Sequence, residues 1–455
     1  MKDLTKGNIY KTFILFAIPL ILSAILSQAF NLINTIMAGK YLGDSGLAAT
    51  GSTSGFFNFY GSVFWGWGMG VSIHVAKLFG EKNYKKIKST IYNNAILVFA
   101  IIVIAGICMT IFKKPVLTAL KVDKAVWNEA SAYFVLMTIG YFTLAFNTWG
   151  ALIFNSLGIT SFPFIVSLIS SISSTLVKIF ALTKLNAGVA GLAVVSLLAA
   201  LIVDICYILK LKKCFIEMQV HKEKISLDTD SIKETAGYAI PVTFQQMSMS
   251  FVNILISPLV NGIGSAASAA YSVVMNMFNL NAQIYQNSAK TVSNYSAQCV
   301  GTREFYKLKK GIRVGFLQGL VFLAPVLLIS VIFSERICAM YFPDGYAGKS
   351  LNYSIMFTKY FLPFIVFNMI NNLFHAFYRG VMAMKSLVSA TLIGSITRII
   401  PTMLLVPHLG MQGVYIGWVI SWVLEAVFTL ILYFTGVWKK EKINVLIAEE
   451  EAYID

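Results

Sequence analysis

Twelve apolar stretches, each long enough to cross a lipid bilayer, follow one another along this chain of 455 residues. They lie at about 12–38, 47–79, 89–112, 130–156, 162–184, 188–211, 233–262, 266–299, 309–333, 351–379, 385–408 and 411–434. A helix needs about 20 residues to span the hydrocarbon. Runs of this length over most of the chain imply a polytopic membrane protein. Only 12% of the residues are charged, against about 25% in a soluble domain. The expected fold is therefore an all-α polytopic membrane protein with twelve transmembrane helices.

The net charge of +16 does not point to nucleic acid. Most lysines and arginines outside the spans fall on one side: at the N-terminus and in 81–88, 210–214, 303–313 and 439–442. Basic loops stay in the cytoplasm, which places both termini there. The segment 113–130 runs against this rule and reads as a short amphipathic helix on the outer surface. The first apolar run has no cleavage pattern and reads as a span, not a signal peptide. The five cysteines are scattered and show neither disulfide nor zinc spacing.

The chain repeats itself. At an offset of 221, AKLFGEKNYKKIK (76–88) lies on AQCVGTREFYKLK (297–309). An offset of 222 brings Ile18-Pro19 onto Ile240-Pro241, Asn31 onto Asn253 and GVAG (188–191) onto GMQG (410–413). An offset of 224 brings Asn155 onto Arg379. Matches in the same order at nearly one offset indicate a duplication. Six helices per repeat give both halves the same orientation, a design that places a substrate site between lobes near the midplane. The expected organisation is a cytoplasmic segment 1–11, an N-lobe 12–211, a linker 212–232, a C-lobe 233–434 and a tail 435–455.

Polar residues recur at helical spacing within the spans. The first carries Ser23, Ser27, Asn31 and Asn34, with Gln28 alongside; the seventh carries Gln246, Ser250, Asn253 and Ser257. The eighth has Asn276, Asn279, Gln283, Asn287, Lys290 and Asn294, and the tenth Asn368, Asn371 or Asn372, His375 and Arg379. Such faces turn away from lipid. Each residue taken alone can be interhelical glue, worth about 0.6 kcal/mol. Together they fit a water-filled cavity. Bases within the spans are Lys178, Lys290, Lys359 and Arg398; acids are Asp204, expected at an interface, and Glu425. Glu425 reads either as an ion pair with Arg398, judged by depth, or as a group that carries a coupling proton.

No phosphate loop of the GxxxxGK[ST] type occurs, so a nucleotide is not an evident energy source. GWGMG (66–70) follows no strand and reads as a place where helices approach closely. The four histidines are too dispersed to suggest a metal set, and no catalytic constellation stands out, so an enzyme is not expected.

The stretch DLTKGNIYKTFILFAIPLILSAILSQAFNLINTIMAGKYLGDSGLAATG (3–51) resembles the opening of multidrug and toxic compound extrusion (MATE) transporters of the bacterial multidrug-exporter branch. AKLFGEKNYKKIK, LGITSFPF (157–164), GVAGLA (188–193), AIPVTFQQMSMSFVNILI (239–256), YRGVMAMK (378–385), TRII (397–400) and GWVISW (417–422) carry the resemblance through to about residue 434. It implies two six-helix lobes in a V and export of small solutes by alternating access, coupled to H⁺ or Na⁺. It also implies a bacterial inner membrane, no cofactor, the lipid bilayer and a small molecule as partners, no nucleic acid, and a monomer. The substrate is expected at Gln28, Asn31, Asn34, Asn253, Asn276, Asn279, Gln283, Asn371 and Arg398, with Glu425 as the ion-coupling candidate. The family's usual acids are missing: Asn34, Ile159 and Val177 stand in their places, with Lys178 next to the last. A neutral or basic cavity suits a neutral, zwitterionic or anionic solute. Rival readings are a flippase for lipid-linked sugars in the same superfamily, and a receptor or scaffold that transports nothing.

Overall fold

The computed structural model describes residues 1–119, 127–184, 189–342, 348–444 and 446–447, and within them the side chains at 31–32, 34–56, 58, 119, 128–130, 133, 139, 189–190, 192 and 442 are outside the described set. The described residues are almost entirely helical, with no strand among them. The long helices are α1 (Ile9–Gly80), α2 (Tyr84–Ile111), α4 (Trp127–Ser156), α5 (Ser161–Lys184), α6 (Val189–Glu217), α7 (Thr229–Ile263), α8 (Ser265–Gly301), α9 (Leu308–Ile332), α12 (Ile365–Gly380), α13 (Met384–Leu409) and α14 (Met411–Phe434). Short helices α3 (Lys113–Ala119), α10 (Ser334–Ala339) and α11 (Lys349–Met356) complete the set. α11 runs on through Phe357–Phe361 and Leu362–Phe364 into α12, so 349–380 forms one span.

Ten described stretches are long and apolar enough to cross a membrane. Two further expected spans complete twelve. The run 47–79 lies inside α1, mostly where side chains are not described. The other is α8, whose 37 residues reach about 55 Å but whose amides lower its hydropathy. The expected surface helix at 113–130 is seen as α3 only, since 120–126 are outside the described residues.

Exposure follows the bilayer. On α5, Ile165, Ile169, Ile172, Leu176, Val177 and Phe180 are exposed, as are Phe99, Ile104, Ile107 and Ile111 on α2. Large apolar side chains at this density would drive aggregation in water and are at home against acyl chains.

The fold divides into two compact units. The first is Met1–Asp3 with Leu22–Thr243; the second is Leu4–Ile21 with Phe244–Asp455. Each unit thus takes the opening stretch of the other repeat's first helix. The chain crosses over after Ile21 and again after Thr243, and these two positions coincide at the repeat offset of 222.

In the first unit, α1 and α7 touch backbone to backbone. A Cβ added to Gly66 would lie 2.5 Å from Thr243 Cα, and one added to Gly70 would lie 2.3 Å from Ala239 Cα. GWGMG is therefore a small-xxx-small contact, which lets van der Waals packing act at short range. In the second unit the core is aromatic. Trp418 and Trp422 pack against Phe278, Phe357 and Tyr415.

The duplication is written in the backbone as well. Lys82 and Arg303, which coincide at the offset of 221, both adopt left-handed φ angles, 57° and 59°. Each follows a long helix closed by the same bonds: Asn83 N to Leu78 O at 3.0 Å, and Glu304 N to Cys299 O at 3.0 Å. Gly158 and Met382, which coincide at the offset of 224, repeat the pattern with φ of 75° and 61°. There Ile159 N reaches Phe154 O and Ala383 N reaches Tyr378 O, both at 2.8 Å. These 6→1 bonds satisfy carbonyls that a helix end leaves open.

Candidate functional site

Two polar centres stand out, one in each unit. In the second unit, five side chains from three helices form one line. Arg379 (α12) donates from Nη1 to Gln245 Oε1 (α7) at 2.8 Å. Gln245 Nε2 stands 2.8 Å from His375 Nδ1 (α12). Because the Gln245 oxygen is taken by Arg379, its nitrogen faces the ring and donates, so Nδ1 accepts. In the neutral imidazole the proton then sits on Nε2. That nitrogen lies 3.2 Å from Glu425 Oε1 (α14), at ion-pair distance. Glu425 Oε2 accepts from Asn371 Nδ2 at 3.0 Å, and the same amide reaches Trp422 O at 3.1 Å. All five side chains are buried.

The space for this carboxylate comes from a glycine. A Cβ on Gly394 (α13) would sit 2.5 Å from Glu425 Cδ. Ser421 Oγ donates to Gly394 O at 2.8 Å and fixes α13 against α14 at this level. Nearby, Tyr285 donates to Asn368, and Lys290 Nζ donates to Asn287 Oδ1 at 2.8 Å.

Arg398 (α13) does something other than pair with Glu425. Its Nη2 donates to Asn253 Oδ1 at 3.1 Å, and its guanidinium lies over the Trp418 ring, 4.4 Å from the centroid. A flat cation over an aromatic face is attracted by the ring quadrupole. Depth along the helices points to Arg398 as Glu425's partner; rotation about them selects His375.

The other expected residues fall in different settings. Asn276 donates to its own helix at Ser272 O, 3.1 Å away, and Gln283 Oε1 lies 3.4 Å from Asn287 Nδ2. Gln28, Asn253, Asn276, Asn279 and Gln283 are half-buried, whereas Asn371 is fully buried on Glu425. Asn31 and Asn34 lie outside the described side chains.

In the first unit, one face of α5 lines a cavity of about 210 Å³. Ser167, Ser170, Ser171, Ser174, Thr175 and Lys178 supply that face; Asn147 (α4) and Ser196 (α6) stand across it. Ser170 Oγ reaches over to Ala199 O on α6 at 3.3 Å. Lys178 is 8% exposed, while its neighbour Val177 is 50% exposed on the apolar face. The sequence reading passes over this stripe because Ser and Thr are weakly polar. Its spacing of three, one, three, one and three is a helical face nonetheless. On α6, Asp204 is buried, with Oδ1 lacking a hydrogen-bond partner among the described residues.

Similarity to known proteins agrees with this architecture. The MatE family profile matches residues 19–180 and again 241–404. The starts of the two matches differ by 222 and their ends by 224, the offsets of the internal repeat. A curated relative, "Probable multidrug resistance protein YoeA" of Bacillus subtilis (strain 168), is 24% identical over 460 residues, covering 97% of each chain. Among solved structures, an outward-facing multidrug resistance MATE family transporter of the MOP superfamily superposes with a TM-score of 0.84 at 18% identity. That match covers 97% of this chain and 99% of the other. A MOP superfamily transporter from Pyrococcus furiosus Vc1 (DSM3638) gives a TM-score of 0.85 at 18% identity, covering 97% and 98%. Its binding pocket is described as having reverse polarity, suggesting a different function. With the profile matched in both halves and the fold shared over nearly the full length, the chain belongs to the MatE family of multi-pass membrane transporters.

Proposed function

We propose that this protein is a secondary active exporter of small organic solutes that works by alternating access, with its coupling ion acting at Glu425. Its setting is the cytoplasmic membrane of a bacterium, with both termini in the cytoplasm, acting as a monomer. The observation that carries the reading is the buried line Arg379–Gln245–His375–Glu425–Asn371. A carboxylate beside an imidazole can hand over a proton without either group meeting lipid. Asn34, Ile159 and Val177 cannot do this, since neither an amide nor an alkyl side chain titrates. The half-buried amides of Gln28, Asn253, Asn276, Asn279 and Gln283, together with Asn31 and Asn34, are the candidate solute contacts. Arg398 adds a positive group on an aromatic floor. The reverse polarity ascribed to the binding pocket of the Pyrococcus furiosus transporter is a parallel for the same fold working with a pocket of altered charge.

The test is efflux from proteoliposomes under an imposed pH or Na⁺ gradient, comparing the wild type with Glu425→Gln. We expect gradient-driven efflux to fall by at least about tenfold, equivalent to about 1.4 kcal/mol. Solute exchange without a gradient should persist. An unchanged dependence on both gradients would remove Glu425 from the coupling.

A further inference from the structure

We propose that the serine-lined cavity of the first unit is a binding site for an anionic group: a carboxylate, or a phosphate of similar size. The site is built by one helix face. Ser167, Ser170, Ser171, Ser174, Thr175 and Lys178 fall at i, i+3, i+4, i+7, i+8 and i+11 of α5, while Ile169, Ile172, Leu176 and Phe180 of the same helix are exposed on the opposite face. Apart from the exposed Ser173 and the residues at its two ends, the polar residues of this helix are therefore gathered on one side, and that side has space in front of it.

Three observations set the sign of the ligand. The one charged group lining the cavity among the described residues is Lys178, an ammonium with three donors and no acceptor. No carboxylate lines the cavity among those residues. The remaining polar lining is hydroxyl and amide: Ser27, Asn147 and Ser196 join the α5 stripe. A hydroxyl can turn its proton outward, so a ring of serines around an ammonium presents donors to whatever enters. An anion gains from the ammonium and from each hydroxyl that can turn toward it, although Ser170 is already engaged with Ala199 O. A cation would meet a buried like charge, which costs far more in a low-dielectric setting than in water.

Size narrows the ligand further. The 210 Å³ cavity is smaller than the roughly 300–1,000 Å³ that encloses a drug-sized molecule. It fits one charged head group, with the rest of the molecule lying outside. Asp204 is the charged residue that could compete. It sits one turn beyond Ala200, a lining residue of α6, and its carboxylate is buried. An ion pair with Asp204 is thus the rival role for Lys178, and the experiment separates the two.

As a site on an exporter, this inference rests on the transport reading; as a binding site it does not, so it is tested by binding alone. The protein is placed in nanodiscs of zwitterionic lipid and titrated with sodium benzoate, sodium phosphate and, as the cationic control, tetraphenylphosphonium. Binding is followed by the shift in thermal unfolding and by tryptophan fluorescence. Saturable stabilisation by benzoate or phosphate is expected, with none by the cation. Lys178→Gln should weaken anion binding by about tenfold or more, the loss of one charge-assisted hydrogen bond. Lys178→Arg should retain most of it, and Ser171→Ala with Ser174→Ala should weaken it without removing a charge. Phosphatidylglycerol added to the discs distinguishes sources. If it competes with benzoate, the anionic group is a lipid head group; if not, it belongs to a soluble molecule. Either result keeps the site. Absence of saturable anion binding, equal affinity in Lys178→Gln, or displacement of the anion by the cation would overturn it. So would an anion-independent loss of stability in Lys178→Gln that Asp204→Asn restores.

Discussion

A single methyl group at Gly394 tests whether the buried carboxylate of Glu425 is held as tightly as its geometry implies. The added Cβ would lie 2.5 Å from Glu425 Cδ, 2.6 Å from Oε2 and 2.7 Å from Oε1. Carbon atoms pack at about 3.5–4.0 Å, so the carboxylate must retreat by roughly 1 Å. The backbone cannot absorb that shift cheaply, because Ser421 bonds Gly394 O at 2.8 Å at the same level. The carboxylate's own contacts are at 3.0 Å to Asn371 and 3.2 Å to His375. A retreat of this size uses up the slack in both. Each hydrogen bond to a charged group is worth about 1.5–3 kcal/mol, and breaking a buried pair costs about 3–5 kcal/mol. Gly394→Ala should therefore destabilise the second unit by about 3 kcal/mol. For a unit of this size that is a fall of roughly 6–12 °C in unfolding temperature. The assay is thermal unfolding of purified protein in a double-mutant cycle with Glu425→Ala. Where the carboxylate is already absent, the methyl group has room and should cost under about 1 kcal/mol. Equal losses in both backgrounds would show that Gly394 matters for helix packing and not for the carboxylate. No loss in the wild-type background would refute the clash itself.

Gly70→Val should separate α1 from α7, since its Cβ would meet Ala239 Cα at 2.3 Å; a loss of about 1–3 kcal/mol or more is expected. Gly237→Val, on the same α7 but with nothing within 4 Å of its Cβ, is the control and should unfold near the wild-type temperature. Lys88→Met keeps the buried stem but loses donation to Val220 O, His221 O and Glu223 O at 2.9, 3.2 and 2.7 Å. The segment 218–228 should then exchange amide hydrogens faster and be cut sooner by a protease, at a cost of about 1.5–3 kcal/mol. Arg398→Lys keeps the charge but not the flat face over Trp418, and should lower stability by about 0.5–2 kcal/mol by thermal unfolding.

The sequence is most informative where a property depends on one helix alone. Span length, the repeat offset and the close approach at GWGMG are all of that kind, and each depends on residue type and spacing. The stripe on α12 is also visible, and His375 and Arg379 do lie in the buried line. What cannot be read is the partner across helices. Glu425 and Arg398 are at similar depth, yet depth leaves the azimuth of each side chain open, and about 100° per residue separates neighbours. The same rotation decides between Gln245 and Gln246. The expected stripe of the seventh span runs through Gln246, whereas Gln245 is the one that is 1% exposed and bonded to both His375 and Arg379. The α5 face is legible in principle, because hydroxyls at helical spacing form a pattern as regular as the amides of α8.

The two halves of this chain share a backbone and differ in chemistry, and the difference bears on mechanism. The paired turns at Lys82 and Arg303, and at Gly158 and Met382, show that the scaffold was copied down to individual φ angles. On that common frame each half places a base on its fifth helix: Lys178 on α5 and Arg398 on α13. At the offset of 224 that closes the second family match, Arg398 corresponds to Ser174, one turn from Lys178 on the same face. Glu425 corresponds to Val203 at the offset of 222 and to the buried Asp204 at 221. In the second unit Glu425 stands beside the imidazole of His375, while in the first a half-buried Glu234 lies 3.4 Å from the buried His74 ring. A duplicated exporter needs a place that recognises and a place that titrates, and both need not be the same place. Here hydroxyls and one ammonium line the first unit's cavity, while the buried Gln245–His375–Glu425 line, where we propose that the coupling ion acts, lies in the second. That division predicts separable defects: changes on the α5 face should alter which solutes bind, and changes along the Gln245–His375–Glu425 line should alter what drives them.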